Sequence, residues 1–192
     1  MKVLGICGSP RKEGNSSSLL AEALRGCEAS GAETKIIHVI DLNVSPCIHC
    51  DSCLKTGKCI YHDDMDILLK EMDEADLIFI SSPLHFANVS SQLKTVIDRM
   101  QVLWATKYVL KRSYLSEKKR SAVFITTASR YGDDLFEGSI ATIKDFLRCG
   151  NIKLAMTFSC PSVENVGDVQ QFPIIMKRCF ETGKTLADIK DN

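Results

Sequence analysis

Five short apolar runs recur along the chain, and each gives way, after a polar loop, to apolar residues at helical spacing. The first is Lys2-Val-Leu-Gly-Ile-Cys7. The others fall at residues 34–40 (Thr-Lys-Ile-Ile-His-Val-Ile), 75–81 (Ala-Asp-Leu-Ile-Phe-Ile-Ser), 121–126 (Ser-Ala-Val-Phe-Ile-Thr) and about 153–158 (Lys-Leu-Ala-Met-Thr-Phe). Between them stand Leu19, Leu20, Ala23, Leu24 and Cys27; Ile67, Leu68 and Met72; Leu93, Val96, Ile97 and Met100; and Ile140, Ile143, Phe146 and Leu147. Apolar residues three and four apart line one face of a helix, whereas continuous apolar runs of this length suit strands buried on both sides. A last helix is expected after the long loop from Cys160 to Pro173, and Gly31 is placed to end the first. Strand–helix alternation of this kind predicts an α/β three-layer sandwich, its parallel sheet covered on both faces. Right-handed crossovers leave few strand orders, of which 2-1-3-4-5 is the expected one. In that order ligands bind beyond the carboxyl ends of the strands, where the winding reverses between the first and third.

At 192 residues, with no internal repeat, low-complexity tract or linker, the chain is expected to be one domain, residues 1–192. Twenty-four Lys and Arg balance 24 Asp and Glu, so no global field recruits nucleic acid or an acidic membrane. No apolar run approaches the roughly 20 residues needed to cross a bilayer, and Met1-Lys-Val-Leu-Gly-Ile-Cys-Gly-Ser turns polar too soon for a signal peptide. A cytoplasmic protein is expected. Nine cysteines in such a compartment point to metal or redox chemistry more than to disulfides. Five of them (Cys7, Cys27, Cys149, Cys160 and Cys179) stand singly and read as small apolar fillers.

The loop after the first strand, Gly8-Ser-Pro-Arg-Lys-Glu-Gly-Asn-Ser-Ser-Ser18, joins a helix start to serines, an asparagine and an arginine, a combination that makes a pocket for a phosphate. Read conservatively, it is an ordinary loop with Asn15 or Ser16 as the helix cap. It has no G-x-G-x-x-G, and the interval from Gly8 to Gly14, with no Lys-Ser/Thr after it, is not a P-loop.

The remaining four cysteines stand within thirteen residues, Cys47-Ile-His-Cys50-Asp-Ser-Cys53-Leu-Lys-Thr-Gly-Lys-Cys59, as C-x2-C-x2-C-x5-C. This spacing lets one loop curl around a compact centre. Thiolates are soft ligands for iron–sulfur clusters, zinc or copper(I), and short C-x2-C-x2-C runs commonly serve a [4Fe–4S] cluster. Zinc more often takes two C-x2-C pairs separated by a spacer, and redox-active thiols are a further reading. His38 and His49 are expected to pack or to face solvent. His62-Asp63-Asp64-Met65-Asp66 could pass for a metal cluster, but carboxylates there suit the start of the next helix.

Gly8-Ser-Pro-Arg11 with Asn15-Ser16, the compact cysteine motif followed by Asp63-Asp64-Met65, and Ser82-Pro-Leu-His-Phe-Ala-Asn88 through Gln92-Leu-Lys94 and Asp98-Arg99 together resemble an iron–sulfur flavoprotein. That group lies within the NADPH-dependent FMN reductase family of the flavodoxin-like fold. The similarity runs from the N-terminus to about Gly132. It implies FMN, with its phosphate held by Ser9, Arg11, Asn15, Ser16 and Ser17. Pro83, Leu84, His85, Phe86 and Asn88 would lie against the isoalloxazine ring and ribityl chain, with His85 either hydrogen-bonding to the ring or stacking on it. Thr127, Ala128 and Ser129 stand where the family commonly has Gly-Gly-Ser, so here Cβ atoms limit the backbone's approach to the flavin. Cys47, Cys50, Cys53 and Cys59 would ligate the [4Fe–4S] cluster.

The resemblance further implies a homodimer or homotetramer, for which the stretch Trp104–Lys119 offers either an interface or a surface helix and turn. It implies ferredoxin or NAD(P)H as electron donor, and a small oxidant or quinone as acceptor. Electron transfer between FMN and the cluster, linking one- and two-electron partners, requires no catalytic acid or nucleophile. The alternatives are an NAD(P)H-dependent FMN or quinone reductase without a cluster, and a non-enzymatic flavin- or metal-binding regulatory module.

Overall fold

The computed structural model describes residues 1–132 and 134–189. In chain order the elements are β1 (Lys2–Cys7), α1 (Asn15–Ala29), β2 (Glu33–His38), the short α2 (Ser52–Thr56), α3 (Met65–Glu74), β3 (Leu77–Pro83), α4 (Ser91–Arg99) and α5 (Gln101–Trp104). After them come β4 (Arg120–Thr127), α6 (Glu137–Cys149), β5 (Ile152–Cys160) and α7 (Pro173–Asp188). All strand pairs are parallel and their order is β2-β1-β3-β4-β5, as the alternation predicts.

The two-residue period of the strands divides the core into two layers. Leu4, Ile6, Ile78, Ile80 and Phe124 face α3, α4 and α6, meeting Leu68, Met72, Leu93, Val96 and Ile143. Val3, Cys7, Leu77, Phe79, Val123 and Ile125 face the other way, toward Leu19, Leu20 and Ala23 of α1 and Cys179 and Ala187 of α7. Cys7, Cys27, Cys160 and Cys179 are buried fillers, while Cys149 is half-buried at the end of α6. No helix among the described residues is long and apolar enough to cross a membrane.

Several boundaries differ from the expected ones. The second strand stops at His38, because Val39–Asp41 forms a single 3-10 turn. The central β3 and β4 run on to Pro83 and Thr127, since each pairs with the other to its last residue. Helix α1 begins at Asn15 with Gly14 in the cap position, so neither Asn15 nor Ser16 is the cap and no side chain serves as one. Ala29 closes the helix, and Gly31 follows at φ +78°, its N–H donating to the Glu28 carbonyl, in the role expected of it.

The stretch after Trp104 is neither a free helix nor a bare turn. Residues Ala105–Val109 form one wide π turn, Leu115 enters the core, and Arg112 donates to the Thr56 carbonyl at 3.1 Å, which seats the segment on α2. Trp104, Tyr108, Val109 and Tyr114 keep an exposed face.

Candidate functional site

The carboxyl ends of β1, β3, β4 and β5 converge on a cavity of about 330 Å³. Main-chain bonds continue past the strands and hold its walls together. Leu84 N donates to Thr127 O at 2.7 Å, Ala128 N to Cys160 O at 3.0 Å, and Val163 N to Ala128 O at 2.9 Å. On the opposite side Gly8 N donates to Ser81 O at 2.7 Å, and a Cβ at Gly8 would lie 2.7 Å from Leu93 Cβ and 2.9 Å from Ser81 O. Glycine there lets β1 and the start of α4 close together. Ser90 locks this junction, its Oγ donating to Gly8 O while accepting from Leu93 N as the cap of α4.

Of the residues expected to hold the cofactor, Ser9, Arg11, Asn15, Ser16, Pro83, Leu84, His85, Thr127, Ala128 and Ser129 line this cavity. Their side chains are not equally free to act. Ser16 Oγ is buried with no hydrogen-bond partner among the described residues, at a helix start that also lacks a capping side chain. The first N–H groups of a helix have no acceptor within it, so this corner gathers unspent donors where an anion would sit. Arg11 is exposed at its lip. Asn15 is spent on the chain itself. Its Nδ2 donates to Asn165 O at 2.8 Å and its Oδ1 accepts from Val169 N at 3.2 Å, clamping the loop after β5 against α1. Ser17 does not line the cavity; its Oγ donates to Arg11 O at 3.0 Å and shapes the turn from behind.

The β3–α4 loop also divides. Phe86 and Ala87, at φ 49° and 60°, form a two-residue turn of left-handed conformation closed by reciprocal bonds between His85 and Asn88. Such turns favour Gly or Asn at both positions, so Phe and Ala here are strained. Phe86 is fully exposed and outside the cavity, and Asn88 Oδ1 accepts from Val89 N at 2.7 Å. Sequence reasoning missed Val163, Glu164 and Val166, which complete the wall from the loop after β5. Its position beyond a strand's carboxyl end was the available signal.

The four clustered cysteines line a second cavity, of about 30 Å³, with no residue in common with the first. Asp51 (φ 60°) and Gly57 (φ 73°) reverse the chain at either end of α2, folding Cys59 back toward Cys47, Cys50 and Cys53. Burial pushes the Cys53 thiol up, and the charges of Cys47, Cys59 and Cys50 act in the same direction. Yet no three His, Cys, Asp or Glu side chains among the described residues are gathered closely enough to hold a metal ion. The thiols share the wall of this small cavity without meeting at a point. The donor set is the soft one that iron–sulfur centres take, so it fits such a group in kind.

Tyr61, Arg99, Gln101 and Val102 line the same cavity. Arg99 grips Asp63 with Nη1 at 2.6 Å and Nη2 at 3.1 Å, and Asp63 also accepts from Ser45 N and Met65 N. Asp63 is therefore engaged as a structural partner of Arg99 and also opens α3. Burial pushes its carboxyl up, but the bonds from Arg99, Ser45 and Met65 outweigh this and hold it below the usual carboxylate range. Asp63→Asn would leave Arg99 buried without its counter-charge, at a cost of about 3–5 kcal/mol. A depressed pKa gives stability that is present above the unfolded-state value near about 3.9 and lost as pH falls through the folded value. Urea unfolding should accordingly show a large gap between wild type and Asp63→Asn at neutral pH, narrowing once the pH drops below about 4.

Residues 1–134 match the sequence profile of the NADPH-dependent FMN reductase family. Over 103 residues the chain is 48% identical to an iron-sulfur flavoprotein of Methanocaldococcus jannaschii, a match covering 54% of this chain and 53% of that one. It thus spans about half the length of that relative. An iron-sulfur flavoprotein of Methanosarcina thermophila is 29% identical over 98% of this chain and 95% of its own. Among solved structures, NAD(P)H:quinone oxidoreductase from Methanothermobacter marburgensis superposes with a TM-score of 0.76 at 16% identity, covering 100% of this chain and 98% of that one, a likeness of fold.

Proposed function

The chain belongs to the NADPH-dependent FMN reductase family, and from that premise we propose that it is an FMN-dependent oxidoreductase passing electrons between FMN and a [4Fe–4S] cluster. When bound, FMN exchanges electrons in pairs and the cluster one at a time, so together they join hydride-type and single-electron partners.

The observation that carries this reading is the pairing of two cavities in one chain, one with unspent donors at a helix start and one walled by four thiols. In the first, Ser16 Oγ, the free N–H groups at the start of α1 and Arg11 would hold the FMN phosphate. Ser9 and Ser17 keep the Arg11 turn in shape through their bonds to its carbonyl. Pro83, Leu84 and His85 would flank the ring from one side and Thr127, Ala128 and Ser129 from the other, with Val163 and Val166 limiting water. In the second, Cys47, Cys50, Cys53 and Cys59 would ligate the cluster, as the names of the M. jannaschii and M. thermophila relatives support. NAD(P)H or ferredoxin is the proposed donor, and a small oxidant or quinone the acceptor, with the protein acting as a homo-oligomer.

A second reading, a cluster-free FMN or quinone reductase, draws on the separated thiols and on a 30% identical relative named NAD(P)H:quinone oxidoreductase in Solanum tuberosum. Flavin titration tests the FMN site. Ser16→Ala removes one hydrogen bond to a charged group, worth about 1.5–3 kcal/mol, and should weaken FMN binding roughly 10- to 100-fold. Unchanged affinity would move the phosphate elsewhere.

A further inference from the structure

Arg99 has no part in the flavin cavity. The Arg99 side chain is 1% exposed. Both terminal nitrogens are committed, to Asp63 and, from Nη1, also to Ser45 O at 2.8 Å. Its plane lies over the Tyr61 ring, 4.9 Å from the centroid. The guanidinium is thus held on three sides, and it forms part of the wall of the cysteine cavity. What remains is Nε–H, which is buried and has no partner among the described residues. A buried donor left unmatched costs about 1–3 kcal/mol, and folded chains rarely leave one without a use. Cys59 lines this cavity with Arg99, as do Cys47, Cys50 and Cys53.

We propose that Arg99 is a positioning residue for the sulfur centre, its Nε–H donating to Cys59 Sγ and its fixed charge making the centre easier to reduce. The proposal rests on the reading of Cys47–Cys59 as a cluster-binding loop. Reduction adds one negative charge, and a cation held out of water nearby favours the form that carries it. Hydrogen bonds to ligand sulfur raise the potential in the same sense. A merely structural Arg99 would need only Asp63 and Ser45, and the orientation they impose would have no bearing on redox poise.

The test uses the full chain, purified without oxygen, as wild type, Arg99→Lys and Arg99→Gln. Iron, acid-labile sulfide and FMN are measured first, and each cofactor is then titrated redox-potentiometrically. In Arg99→Gln the equilibrium constant for cluster reduction should fall about tenfold, which is about 59 mV for a one-electron couple. Arg99→Lys, which keeps the charge but not Nε–H, should recover part of that loss. The FMN potential should not move in either. Equal cluster potentials in all three proteins would overturn the proposal.

Should the variants lose iron, the unaltered protein labelled with 15N-arginine decides the matter by pulsed EPR of the reduced cluster. A resolved arginine 15N coupling is expected, and its absence overturns the proposal. Unaltered protein that contains no iron would instead overturn the cluster reading itself, and this inference with it.

Discussion

Replacing Cys50 with serine is expected to cut iron from about four atoms per FMN to below one in anaerobically purified protein, with FMN retained. A serine hydroxyl is a hard, weakly acidic ligand where the proposed cluster would take a soft thiolate. Cys50 is exposed and has no packing role in the core, so its loss should not unfold the chain. Retention of FMN is expected because the proposed flavin cavity and the cysteine cavity have no lining residue in common. Loss of both iron and FMN in this variant would show that the cysteine loop also supports the flavin wall.

Gly183→Ala should be the most damaging small substitution outside the two sites. Helices α1 and α7 cross so closely that a Cβ at Gly183 would lie 1.9 Å from Ala23 O, and one at Gly26 would lie 2.0 Å from Phe180 O. Both obstacles are backbone, which no rotamer change can move aside. The contact also carries bonds from Cys27 Sγ to Gly183 O and from Ser30 Oγ to Lys184 O, and these would stretch as the helices part. Overpacking of this kind costs about 1–3 kcal/mol and occasionally more. With no side chain to yield, a loss of about 3 kcal/mol is expected, lowering Tm by roughly 6–12 °C for a chain of this size. Thermal unfolding of the FMN-free protein measures it directly. Helix α1 also presents the corner proposed for the FMN phosphate, so weaker FMN binding should accompany the lower Tm. A Tm within a degree of wild type would mean that the two helices can slide apart without penalty.

The sheet and its order were legible because they follow from local pattern: apolar runs such as Leu77–Ile80 read as buried strands whatever surrounds them. Cavity positions close to a strand end, such as Ser9, Pro83 and Thr127, were legible for the same reason. What the sequence concealed depends on contacts between distant segments. Asn15 looks like a cap, but its amide is consumed by Asn165 and Val169, 150 and 154 residues away. Asp63 reads as a helix-start carboxylate, and only folding reveals Arg99, 36 residues on, as its partner. Phe86 sits in a loop that reads as ring-facing, yet the left-handed turn it shares with Ala87 points it into solvent. The packing of residues 105–112 on α2 likewise has no local signature, since it depends on Arg112 reaching Thr56.

The central claim is that one chain holds a flavin and a four-thiolate iron centre. Iron, acid-labile sulfide and FMN quantified in a single anaerobic sample of unaltered protein test it most directly. About four irons and four sulfides per FMN are predicted, as one cubane requires. A yellow protein with stoichiometric FMN and no iron or sulfide would contradict the claim and leave a flavin reductase alone.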